Sequence, residues 1–240
     1  MNTLGDGSHQ CRDCEEKERQ AHQATEFLAG IGPWVGRWCL AAGMGPREVT
    51  ARVELIKPAI KRAIVSVAEV NLRELLAGKI PSSGFGIGGT GTGAGKTCAL
   101  AAIFRQYAMT SATEHAGTIN KRPDPNLVWE SWPSTVAWMR MNAISDDFPA
   151  RVDRMIQAPV LFLDDLGSER IKGSYIEDFA ASQLDLIVDS RYRDMLPTFY
   201  TTNLDLKGLT EFYGARLVSR LCGENPLCIV EGLPDQRMAQ

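Results

Sequence analysis

The sequence predicts an α/β fold, a parallel sheet flanked by helices, with a helical extension on its N-terminal side. Three observations carry this. The run Val160-Leu161-Phe162-Leu163 is apolar without a break, as a strand buried on both faces requires. A glycine-rich turn ending at Gly95 separates the short run Phe85-Gly86-Ile87 from a helix-forming stretch. From Gly84 onward, short strand-like runs alternate with helical periods, the pattern that builds a sheet covered on both sides.

Taken in order, residues 1–45 are polar at first, with Cys11, Cys14 and the run Glu15-Glu16-Lys17-Glu18-Arg19, and read as an N-terminal appendage. Residues 46–80 form the helical extension. Pro46 is a good first helical residue, with Val49, Val53 and Ile56 predicted on one face. Pro58 restarts the period, and Ile60, Ile64, Val67, Leu72 and Leu75 continue it until Gly78 and Pro81 stop it. Residues 81–240 hold the main domain. There Phe85-Gly86-Ile87 is a strand weakened by glycine, Cys98–Tyr107 a helix, Leu127-Val128-Trp129 a strand and Ser134–Met141 a helix. The run at 160–163 follows. Ile176, Phe179, Ala180, Gln183, Leu184, Ile187 and Val188 then recur at helical spacing, Thr198–Thr202 is a strand, and a last helix carries Arg216 and Arg220.

Composition limits the function classes. The chain has 240 residues, 44% hydrophobic and 23% charged, which is enough for a real core and too little charge for a mostly disordered chain. Its longest clean apolar stretch, Cys98–Phe104, is far short of the roughly 18 residues that cross a bilayer, and no apolar segment follows a basic leader. The expectation is a cytoplasmic protein that does not contact a membrane, with its six cysteines reduced or metal-bound. A net charge of -3 argues against coating nucleic acid through bulk positive charge, so any DNA contact is local.

The chemistry lies in two segments. In Thr90-Gly91-Thr92-Gly93-Ala94-Gly95-Lys96-Thr97-Cys98 a glycine-rich turn opens a helix. Its backbone amides can wrap a phosphate chain, Lys96 can neutralise the terminal phosphates, and the Thr97 hydroxyl can ligate magnesium. This is a P-loop, with Gly91 to Cys98 as the ATP-binding residues. Thr90 stands where the pattern places its first glycine, although Gly89 and Gly91 flank it. The second segment is Leu163-Asp164-Asp165, two carboxylates at the C-terminal end of a central strand, where ligands of open parallel sheets bind. Asp164 is the expected magnesium ligand beside Thr97. Asp165 is the expected group that polarises the attacking water.

These motifs, followed by Pro197-Thr198-Phe199-Tyr200-Thr201-Thr202-Asn203-Leu204 and Gly214-Ala215-Arg216-Leu217-Val218-Ser219-Arg220-Leu221, resemble the ordered motifs of AAA+ ATPases of the DnaC-type helicase-loader and IstB-like group. The resemblance covers about residues 80–237. It implies an Mg-dependent ATPase that works as a homo-oligomer, with a replicative helicase and single-stranded DNA as partners. It further implies that Asn203 orients the lytic water and that Arg220 is an arginine finger reaching the nucleotide of a neighbouring subunit. A loose echo of the group's ending occurs at Asp235 and Arg237. Open alternatives are an ATPase helper of DNA transposition, a P-loop small-molecule kinase, and a nucleotide-binding adaptor that does not hydrolyse, the last suggested by Thr90 and by Asp165 standing where many relatives have Glu.

Two further patterns remain. Cys11-x-x-Cys14 has the spacing of a zinc knuckle, with His9, His22 and Cys39 as candidate further ligands, against two solvated thiols. Lys57, Lys61 and Arg62, and separately Arg151, Arg154, Arg170 and Lys172, are local basic clusters. Trp129, Trp132 and Trp138 are aromatics that could stack bases or fill the core.

Overall fold

The computed structural model describes residues 32–33, 35–40, 42–91, 93–114, 127–169 and 175–230. Five strands form one parallel sheet: β1 (Phe85–Gly88), β2 (Leu127–Ser131), β3 (Val160–Leu166), β4 (Thr198–Thr202) and β5 (Leu227–Ile229), in the order β2-β3-β4-β1-β5. Helices on the two faces divide the core in two. One layer holds α1 (Pro58–Leu76) and α2 (Lys96–Glu114). The other holds α3 (Trp132–Met141), α4 (Asp147–Gln157), α5 (Tyr175–Arg193), α6 (Leu206–Tyr213) and α7 (Ala215–Glu224). The alternation of side chains along each strand assigns the layers: Phe162 and Phe199 point to the α2 side, Leu163 and Tyr200 to the other.

The aromatic residues sit on this plan. Phe162 and Phe199 stack with centroids 5.0 Å apart, and Phe104 of α2 meets Phe162 edge-on at 5.0 Å. Trp129 is 2% exposed and packs against both Phe104 and Phe162, while Trp132 is fully buried in the opposite layer. Neither tryptophan is available to stack on DNA bases. Trp138 is half-buried and lies under the Arg151 guanidinium at 4.6 Å. The basic residues Arg151 and Arg154 are likewise engaged, both pairing with buried Glu130. Arg170 and Lys172 lie outside the described residues.

The extension departs from the predicted single face. Pro46–Val49 is one helical turn, ended by Thr50, whose hydroxyl donates to the carbonyls of Pro46 and Arg47. Arg52 is extended, Val53–Leu55 is a 3-10 turn, Ile56 is extended, and Lys57 keeps ψ 137° because the proline after it disfavours helical backbone. Val35, Cys39, Met44 and α1 share the core of α2, and Trp38 stacks on Phe104 at 5.1 Å. Cys39 is fully buried there, and burial pushes its thiol up to about 11. His9, Cys11, Cys14 and His22 lie outside the described residues.

Glycine in β1 has a reason. A Cβ on Gly86 would come within 2.3 Å of the Tyr200 ring, so this strand is bare where the neighbouring ring lies across it. The Tyr200 hydroxyl donates to the carbonyl of Asn225. The Asn225 side chain in turn accepts from the amides of Gly84 and Thr198, tying the starts of β1 and β4 together.

At the same N-terminal edge of the sheet, Arg191 is 1% exposed. It donates to the carbonyls of Met155, Ile156, Ala158 and Pro197 and to Thr198 Oγ1. Burial holds its guanidinium down at about 9, opposed by the charge of Asp194.

Candidate active site

The site lies at the C-terminal edge of the sheet, where β1 leads into the glycine turn and β3 and β4 end. Gly89, Gly93 and Gly95 have φ of 135°, 64° and 95°, a backbone that residues with a Cβ rarely adopt. The turn delivers Lys96 and Thr97 to the first turn of α2. Lys96 is 7% exposed, and its Nζ donates to the carbonyls of Gly89 at 2.9 Å and Gly91 at 2.7 Å. Burial lowers its ammonium pKa, and the charge of Asp165 partly opposes that. Ala94 is buried and Cys98 exposed on the first turn of the helix, while Thr92 lies outside the described residues.

β4 lies between β1 and β3, so its C-terminal end falls between the turn and the two carboxylates. Asp164 is two residues beyond Phe162, and Thr201 two beyond Phe199, which places both on the α2 side above the stacked rings. Thr201 Oγ1 donates to Asp164 Oδ1 at 2.6 Å and accepts the amide of Asp165 at 2.9 Å. Asp164 is 8% exposed. Burial pushes its carboxyl up to about 6; hydrogen bonds from Thr201 and Thr97 oppose the shift, and the charges of Asp165 and Glu48 add to it.

Consecutive strand residues point to opposite faces, yet both aspartates serve one site. The register of β3 against β4 slips between Leu163 and Leu166, and Asp165 takes φ 64°. This bulge turns Asp165 back towards the site, where Asn203 Nδ2 donates to its Oδ1 at 2.9 Å. Lys96, Thr97, Asp164, Asp165 and Asn203 are thus brought together as expected. Thr201 was missed by sequence reasoning, although its place two residues after a core phenylalanine on the middle strand is the signal that finds it.

The donor set fits MgATP. Backbone in the left-handed region, a buried ammonium held against carbonyls, and a carboxyl raised by burial are what an anionic chain and a divalent metal would complement.

Past the carboxylates, Gly167 donates its amide to Glu169 Oε2 at 2.9 Å and to the Tyr213 hydroxyl at 2.8 Å. Trp132 Nε1 and the Tyr213 hydroxyl both donate to Glu169 Oε1. Burial raises the Glu169 carboxyl, and these donors oppose the rise.

Arg220 lies elsewhere. It lines a recess with Ser82 and Ser83 just before β1, Thr198 at the start of β4, and Arg191 of α5. It forms an ion pair with Asp189 of α5, and Arg216 approaches the same carboxylate at 3.9 Å. This is the N-terminal edge of the sheet, one strand length from the glycine turn.

No family model and no curated protein matches the chain, but solved structures do. A crystal structure of DnaI superposes with a TM-score of 0.57 at 21% identity, over 80% of this chain and 94% of that one. The DnaC helicase loader gives 0.57 at 20% identity, over 78% of this chain and 100% of that one. The fold is shared with DnaI and the DnaC helicase loader. Replication initiator DnaA, bound to AMPPCP and single-stranded DNA, matches more distantly: TM-score 0.54 at 18% identity, over 78% of this chain and 51% of that chain. The five-stranded parallel sheet and its helical layers are shared with these AAA+ proteins; the roles of individual residues rest on the geometry above.

Proposed function

We propose that the chain is an Mg-dependent ATPase switch that self-assembles and loads or remodels a replicative helicase on single-stranded DNA. The observation that carries this reading is the placement of the charged groups at two ends of one sheet. Lys96, Thr97, Asp164, Asp165 and Asn203 gather at the C-terminal edge, while Arg220 stands beside Thr198 at the N-terminal edge. A five-residue strand spans about 16 Å. That separation supports a role for Arg220 at a neighbouring subunit's nucleotide, with hydrolysis dependent on assembly.

Bound MgATP supplies the electrophilic phosphorus and the positive charge that compensates the phosphate oxygens. The chain does the rest. Lys96 exchanges the carbonyls of Gly89 and Gly91 for phosphate oxygens. Thr97 and Asp164 would hold the metal, and Thr201 fixes the Asp164 carboxylate. Asp165, oriented by Asn203 through Oδ1, keeps Oδ2 free to accept the proton of an attacking water. The partners are supported by likeness: one neighbour is titled a helicase loader, another a putative primosome component from Streptococcus pyogenes, and a third carries single-stranded DNA.

Phosphate release, followed against protein concentration with and without single-stranded DNA, tests the reading. Specific activity should fall on dilution, and Lys96→Ala should abolish both ATP binding and turnover. Specific activity that is constant on dilution, or turnover retained by Lys96→Ala, overturns it.

A further inference from the structure

The glycine turn is touched from outside the sheet. Lys57, the last residue before Pro58 opens α1, places its Cε 3.7 Å from where a Cβ on Gly95 would stand, and the Ile60 Cδ1 lies 4.0 Å from the same point. Ile60 is fully buried and Lys57 half-buried. The aliphatic stem of Lys57 thus lies beside the loop, and its ammonium, one bond beyond Cε, is within reach of it. Lys96, next to Gly95, already donates to two carbonyls. Among the described residues no acceptor meets the Lys57 ammonium. The same extension brings in Glu48, whose charge adds to the effect of burial on Asp164, so residues 46–57 border the site at more than one point.

We propose that Lys57 is a second phosphate-binding lysine, whose ammonium contacts the phosphate chain of the bound nucleotide beside the Gly95-Lys96 backbone. The proposal rests on the P-loop reading above and extends it. It moves Lys57 out of the basic cluster predicted for DNA and into the nucleotide site. It also gives the extension a function: occupancy of the loop draws on a residue at the junction between residues 46–57 and α1, so binding at the sheet is felt in the extension.

Calorimetric titration of ATP and ADP into the full chain decides the matter, using wild type, Lys57→Arg, Lys57→Gln, Lys57→Glu and Lys96→Ala, with thermal melts as controls. Affinity should follow charge. Lys57→Arg should stay within about twofold of wild type, Lys57→Gln should bind roughly tenfold more weakly, and Lys57→Glu more weakly again. Equal affinity across the series overturns the proposal, and so does equal weakening by Arg and Gln, which would mean packing and not charge. Lys57→Gln and Lys57→Glu are isosteric, so the difference between them reads charge alone even if both melt earlier than wild type. Wild type that takes up no nucleotide defeats the P-loop reading itself. Wild-type binding lost in Lys96→Ala, with a flat Lys57 series, defeats only the second lysine.

Discussion

Asp164→Asn should stabilise the protein while destroying its activity. The Asp164 carboxyl is raised from 3.8 to about 6, chiefly by burial, so the folded chain holds its proton more tightly than the unfolded chain does. The sign follows from proton linkage: where the folded state binds more protons, stability falls as pH rises, here between about pH 4 and 6, and is level above that. The full difference is worth about 3 kcal/mol at 1.36 kcal/mol for each pH unit. Asparagine is isosteric, cannot ionise, and its Oδ1 can still accept the Thr201 hydroxyl. Urea unfolding without divalent cation should therefore show the variant more stable than wild type by up to about 3 kcal/mol near pH 7.5, narrowing to about 1 kcal/mol near pH 4.5. Magnesium-dependent turnover should vanish. A variant less stable than wild type near pH 7.5, or a gap that does not narrow in acid, would refute the claim that an ionised carboxylate is being held in an unfavourable place.

Three other substitutions test separate parts of the structure. Arg220→Ala should retain ATP affinity yet lose hydrolysis, and mixing it with Lys96→Ala chains should restore phosphate release at hybrid interfaces; no rescue, with assembly verified by light scattering, counts against an arginine acting across subunits. Arg191→Met leaves the Met155, Ala158 and Pro197 carbonyls, all buried, and the part-buried Ile156 carbonyl without this donor and should cost about 3–5 kcal/mol in urea unfolding at an unchanged slope, so a loss below about 1 kcal/mol would show that water takes its place. Thr201→Val should leave nucleotide affinity within about threefold but lower turnover by about tenfold or more, because both aspartates lose a hydrogen bond that fixes them; unchanged turnover would make Thr201 dispensable.

Much of this site could be read from the chain because its chemistry is local. The glycine turn and the doubled aspartate each declare themselves within ten residues, and the uninterrupted apolar run before Asp164 forecasts a central strand. The fold was less legible where a local rule had to be set aside. Asp147–Gln157 is a helix even though Pro149 interrupts its pattern, because proline in a first turn removes no hydrogen bond. Leu227–Ile229 is three residues long and becomes a strand only by pairing with β1. Leu206–Tyr213 is capped by Asp205, whose side chain accepts the Gly208 amide, a short polar signal two residues after Asn203. Tryptophan was the opposite case. The sequence left Trp129 and Trp132 either stacking bases or filling the core, and only the sheet shows that they fall on opposite faces and are both enclosed. The bulge at Asp165 has no sequence signature, since it depends on how β3 meets β4.

The stacked rings of Phe162 and Phe199 stand directly under Asp164 and Thr201 in their strands. The rings stand beside the reactive oxygens on the same face, so their bulk limits how far Asp164 and Thr201 can lean back along the strands. Trimming either ring to leucine would open that space without touching a polar atom, and displacements of about 1 Å can slow a reaction about a hundredfold. Catalytic tempo in such a molecule can drift through substitutions that look like ordinary interior repacking.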